Sequence, residues 1–140
     1  MPQVDRLTTQ HNSLDARLSA VFLQAAWGAM DGARREFEAF RLDLDAHLRE
    51  SERDLFANLV ALDERDLALE RIEWRSHVRD LQRIVLAVER ELTAPGDVVL
   101  YESFGVLRRE MRRHCAHDER LLRLTRESTR DGSRPVAVPF

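Results

Sequence analysis

The chain contains no lysine. All 22 of its basic residues are arginine, set against 25 acidic residues for a formal net charge of −3 at pH 7. That balance leaves no polycationic footprint for nucleic acid. The arginines are also interleaved with Asp and Glu, as on a solvated helix face. Cysteine is nearly absent: Cys115 stands alone, which excludes an internal disulfide and suits a reducing compartment. No apolar run approaches the ~18 residues of a membrane span, and the first ten residues are polar, without a signal-peptide core. There is no Gly-rich phosphate loop, no defensible Ser–His–Asp arrangement and no aromatic platform for stacking bases. A soluble cytoplasmic protein is expected, with neither nucleic acid nor membrane as partner.

What is present is helical. With 140 residues the chain is long enough for one domain with a real core. Ala, Leu, Arg and Glu dominate, and Gly and Pro number only five and four. Four stretches carry apolar residues at helical spacing. The first, about 5–27, has Leu7, Leu14, Leu18, Val21 and Phe22, then Ala25, with His11 on the same stripe. The second, about 31–62, runs Phe37, Phe40, Leu44, His47, Ser51, Leu55 and Leu59. The third, about 64–92, reads Leu67, Glu70 or Trp74, His77, Leu81, Ile84 and Val88. The fourth, about 98–126, reads Leu100, Phe104, Leu107, Met111, His114, Asp118 and Leu121 or Leu122. Asp31 and Asp63 are candidate caps of the second and third helices. Short breaks between the stretches predict an all-α, up-down-up-down antiparallel four-helix bundle over 1–128. A short extended C-terminal tail, 129–140, follows, with Val136, Val138 and Phe140 as docking candidates.

Each stretch carries one His on its inward stripe: His11, His47, His77 and His114. Each lies about 13–17 residues from a neighbouring turn, which at ~1.5 Å per residue puts all four at one height to within roughly a helical turn. Four imidazoles in one slab of a dry core need a shared partner, and a metal ion supplies it. Asp118, four residues after His114, shares its helix face, whereas His117 is expected at the surface and Trp27 and Trp74 as packing residues. Imidazole and carboxylate donors without a usable thiolate suit iron, manganese or zinc. The frame around His114 also repeats an earlier one. Counted from His47 and from His114, both stretches give Glu at +5, Arg at +6 and Leu at +8, but at +4 Ser51 stands where the later copy has Asp118.

These residues make the chain resemble the hemerythrin-like family, the HHE cation-binding domains. The family pattern is a His on the first helix, His-x-x-x-Glu followed by Leu-Phe on the second, a His on the third, and His-x-x-x-Glu or Asp on the fourth. His11, His47 with Leu55-Phe56, His77, and His114 with Asp118 match it, over about residues 5 to 126. The resemblance implies a non-haem iron site, usually with two irons, that binds or senses oxygen, nitric oxide or peroxide, or handles iron. On that basis His11 and His47 serve one iron, His77 and His114 the other, and Asp118 bridges them. Ser51 departs from the pattern, because the family has a bridging carboxylate there. Glu50 or Glu73 is expected to replace it, with Glu52 the weakest candidate. Peroxide decomposition at the centre is an enzymatic version of this reading. The alternative from a different class is a metal-depleted helical scaffold or partner-binding module.

Overall fold

In a computed structural model of the chain the described residues are 2–59, 62–93 and 97–132, with side chains over 6–59, 62–93 and 101–125. The four apolar stripes fold as four helices: α1 (Pro2–Ala26), α2 (Met30–Ala57), α3 (Glu64–Thr93) and α4 (Asp97–Gly132). No strand occurs among the described residues. None of these helices is long and apolar enough to cross a membrane.

The turn between α1 and α2 is fixed by Gly28 at φ 79, a left-handed conformation that a residue without Cβ adopts freely. The Ala29 N–H donates to the Gln24 carbonyl at 2.8 Å and the Gly28 N–H to the Ala25 carbonyl at 3.1 Å. This is the six-to-one, five-to-two pattern that satisfies the last carbonyls of a helix. Asp31 does not cap α2. Ala29 occupies that position without a side-chain bond, and Asp31 sits in the first turn, paired with Arg34. Asp63 does serve α3, accepting from the Asp66 N–H at 2.8 Å.

Two expected boundaries move. α2 stops at Ala57, short of Leu62. α4 continues through Gly132, so 129–132 are helical rather than extended; no Gly or Pro interrupts the chain between Gly105 and Gly132. Val136, Val138 and Phe140 lie outside the described residues.

Side-chain pairs tie the helices along their length. α1 meets α2 through Arg6–Asp54, Gln10–Glu50 and Arg17–Asp43. α2 meets α3 through Arg41–Glu89 and Arg75–Glu52. α3 meets α4 through Glu70–Arg120, and α1 meets α4 through Ser19–Arg108. Along α1/α2 and α2/α3 the residue numbers rise on one helix as they fall on the other. Between these charged seams the interior is apolar, with Val21, Phe40, Leu44, Leu81, Val88, Leu107 and Leu121 all but sealed from solvent.

The stripes of α1, α2 and α4 bury as their spacing predicts, except that Phe22 on α1 is exposed at the edge of its stripe and the side chain of Leu100 lies outside the described residues. On α3 the expected Trp74, Leu81 and Val88 do bury, but the stripe is narrower on the His77 side. Trp74, Leu81, Val85, Val88 and Leu92 are buried, while His77 and Ile84 are only partly so. Trp74 is the largest side chain on α3, and its burial fixes the rotation of the helix. Positions 78, 81 and 85 follow it at helical spacing, and His77 falls to the side.

Candidate metal centre

His11 from α1, His47 from α2, and His114 and Asp118 from α4 come together midway along the bundle. They are 9%, 2%, 1% and 0% exposed. The neighbours along each helix explain the placement: Leu7 and Leu14 flank His11, Leu44 flanks His47, and Met111 and Leu121 flank His114 and Asp118, all buried. Burying these apolar residues carries the polar ones inward on the same stripe.

All three imidazoles present Nε2 to one oxygen. Asp118 Oδ2 lies 3.1 Å from His11 Nε2, 3.0 Å from His47 Nε2 and 3.0 Å from His114 Nε2. The other carboxylate oxygen, Oδ1, accepts from the Trp74 indole N–H at 3.3 Å. Burial pushes the Asp118 carboxyl up, but its hydrogen bonds with His11, His114 and His47 outweigh that and hold it well below the usual carboxylate range.

A glutamine decides the tautomer of His47. Gln10 Nε2 donates to Glu50 Oε2 at 2.7 Å. That bond turns the amide oxygen toward His47 Nδ1, 2.8 Å away. The Nδ1–H therefore donates to Gln10, and a neutral imidazole has no second N–H. His47 Nε2 is left as a bare lone pair, yet it faces Asp118 Oδ2 at 3.0 Å and His114 Nε2 at 3.3 Å. Two acceptors in contact need a proton or a cation between them. Burial lowers the pKa of His47 and prevails over its hydrogen bond with Asp118 and the carboxylate's charge, so the proton is the disfavoured solution.

The donor set fits a metal ion. Three imidazole nitrogens and one carboxylate oxygen are the ligands zinc, iron and manganese take. Bonds of about 2.1 Å place adjacent donors roughly 3.0–3.4 Å apart in octahedral or tetrahedral geometry; four of the six donor pairs span 3.0–3.3 Å, and all four donors lie within 4.8 Å of one another. Gln10 and Trp74 are outer partners of the kind that orient ligating His and carboxylate groups.

Of the other residues weighed for the centre, only Ser51 borders it. Glu50 holds Gln10 and acts on His47 through it. Ser51 is buried, its hydroxyl 3.4 Å from His47 Nε2. His77 is half-buried, with its ring centroid 5.1 Å from that of His117. Glu73 is exposed and falls in a second group with Glu70 and His117. The expected convergence of four imidazoles is thus one of three, and the rotation of α3 set by Trp74 is the reason. His117, expected at the surface, is buried at 7% exposure and in contact with Arg120 at 3.0 Å. Burial, helped by Arg120, lowers its pKa. Cys115 takes no part, and burial first, then the Asp118 charge, pushes its thiol up to about 12.

Sequence reasoning passed over Gln10 and treated Trp74 as packing alone. Gln10 precedes His11 and carries no periodic signal. Trp74 was legible as the only indole within a helical stripe, which is where a buried N–H seeks an acceptor.

Compared with known proteins, the chain matches no family model, no curated protein and no solved structure.

Proposed function

We propose that the chain is a hemerythrin-like, up-down-up-down antiparallel bundle that holds non-haem iron and binds a small diatomic ligand or peroxide. One observation carries this reading: the lone pair of His47 Nε2, fixed by Gln10 and Glu50, is aimed at the Asp118 carboxylate. His11, His47, His114 and Asp118 would hold the ion. Bound there, iron supplies a Lewis-acidic, redox-active position for an exogenous ligand. A second ion of the pair expected from the sequence would draw on His77 and Glu73. Those residues sit in the α3/α4 seam with His117, so a single core ion is the better-supported count.

The roles of the remaining residues follow from their contacts. Gln10 and Glu50 keep the His47 proton on Nδ1, Trp74 holds the carboxylate plane of Asp118, and Leu14, Leu44 and Met111 are buried beside the layer. Anaerobic reconstitution with Fe(II) followed by elemental analysis tests the reading. About one iron per chain is expected, lost in His47→Ala and Asp118→Ala and retained in His77→Ala. A chain that takes up no iron would instead be the metal-free scaffold.

A further inference from the structure

The outward face of α1 carries no charge. Thr9, Ser13, Ala16, Ala20, Leu23 and Trp27 follow one another at alternating steps of four and three. They lie opposite the buried Leu14, Leu18, Val21 and Ala25. That alternation is the spacing of a seam between two helices. The exposed positions of the other helices, by contrast, carry Arg49 and Arg53, Arg79 and Arg83, and Arg109 and Arg112. From Leu18 to Met30 no residue is charged, in a chain where 34% of residues are.

Trp27, expected to pack, is 85% exposed, and Leu23 is 56% exposed. The Trp27 N–H donates to the Leu23 carbonyl at 3.1 Å, so the indole prolongs the last turn of α1. Phe22, at the edge toward α4, meets Tyr101 edge-on at 5.6 Å, and both rings are exposed. A surface depleted of charge and rich in aromatic rings has the composition of an interface core.

The two edges of the face differ in charge. Arg17 and Ser19 leave α1 in nearly opposite directions, two residues or about 200° apart. On the Arg17 side α2 sets two carboxylates, Glu36 and Asp43, against one guanidinium. On the Ser19 side α4 presents Arg108, bonded to the Ser19 hydroxyl at 2.8 Å, and Arg112, with Asp15 of α1 in the same groove. Over Ala16–Trp27, carboxylate is in excess along one edge and guanidinium along the other.

We propose that this face of α1 is the contact of a twofold-symmetric dimer of the chain, formed with or without the core ion, in which the two α1 helices run parallel. A twofold axis along the helices sets the α4 edge of one copy against the α2 edge of the other. Arg17 and Ser19 differ in height by only about 3 Å, so Arg108 and Arg112 come level with Asp43 of the partner subunit. An antiparallel pair would set arginine against arginine. Ala16 and Ala20 let the backbones approach, and Leu23 and Trp27 pack against their own copies. An anionic lipid surface calls for basic residues along both edges, and the Arg17 edge has an excess of acid.

Sedimentation of the full chain over a concentration series tests the dimer. A reversible monomer–dimer equilibrium is expected, weakened by salt. Leu23→Glu should abolish it, and Trp27→Ala should weaken it about tenfold or more. Both positions face water in the single chain, so thermal unfolding of the dilute variants should match wild type. Trp27→Cys in a Cys115→Ser background reads the orientation. Parallel helices bring the two copies of position 27 together, and oxidation should cross-link them; antiparallel helices would set position 27 against position 9. A chain that stays monomeric at every concentration overturns the proposal, as do dimers that survive Leu23→Glu. A monomer that instead binds anionic phospholipid vesicles also overturns it. Dimers that fail to cross-link through position 27 overturn the parallel arrangement.

Discussion

Two histidine–carboxylate groups draw on the same stretch of α4, one in the core and one in the α3/α4 seam, and have opposite electrostatics. In the core layer, His11, His47 and His114 surround Asp118, and no arginine is among the partners of that carboxylate. In the α3/α4 seam, His117 lies beside Glu70, and Arg120 grips Glu70 through two bonds of 2.6 and 3.1 Å. The Arg120 bonds, ahead of the opposing burial, lower the pKa of Glu70. The seam therefore carries its own cation, covalently attached to the chain. The core layer carries a carboxylate and an imidazole lone pair, and among the described residues only histidines, an indole and the Ser51 hydroxyl, 3.4 Å from His47 Nε2, stand near them. Residue type alone does not make a metal site; an unanswered donor set does.

The widest break in that comparison comes from the carboxylate. Asp118→Ala should abolish iron uptake, while Glu70→Gln should leave it unchanged; elemental analysis of both variants checks the contrast. Trp74 comes next. Trp74→Ala should cost about 3–5 kcal/mol of stability through lost packing, measured by denaturant unfolding. Trp74→Phe retains much of the ring and removes the N–H to Asp118, so its larger effect should fall on iron affinity, roughly 10–100-fold.

Gln10 sharpens the comparison at the level of a single proton. Gln10→Leu frees His47 to move its proton to Nε2, and iron affinity should fall by about tenfold or more. Nitrogen NMR of the histidine ring in the metal-free protein should report Nδ1–H in wild type and a tautomer mixture in the variant. Acidification acts on both regions. The pKa values of His47, His77 and His117 are lowered, each first by burial. The unfolded chain then binds protons below the ordinary histidine value of ~6.5 that the folded chain refuses. Metal-free protein should accordingly lose thermal stability as pH falls from 7 toward 5. Asp118 adds a further loss at lower pH, because its folded pKa lies below the unfolded one. The smallest effect belongs to the seam. Arg120→Ala removes a partly exposed ion pair and should change unfolding free energy by no more than about 1 kcal/mol, with iron content untouched.

Much of the framework was legible from spacing. The stripes of α1, α2 and α4 are nearly pure i, i+3, i+4 patterns, and each carries its polar residue where burial of the flanking Leu, Phe and Met side chains draws it inward. On α3 the spacing found Trp74, Leu81 and Val88, but it also admitted His77 and Ile84, which lie at the edge of the buried stripe, and left out Val85. Periodicity does not fix the edge of a stripe; the volume of Trp74 does. The outer partners were harder still. Gln10 and Glu50 act through one directional hydrogen-bond chain between two helices, and nothing in a linear sequence encodes which amide faces which ring.

The most direct measurement is X-ray absorption on the Fe(II)-reconstituted chain, with His11→Ala and His77→Ala in parallel. The account predicts one iron per chain with a nitrogen-rich shell of histidine scattering, reduced in His11→Ala and identical to wild type in His77→Ala. Iron that disappears with His77 and survives the loss of His11 would contradict it.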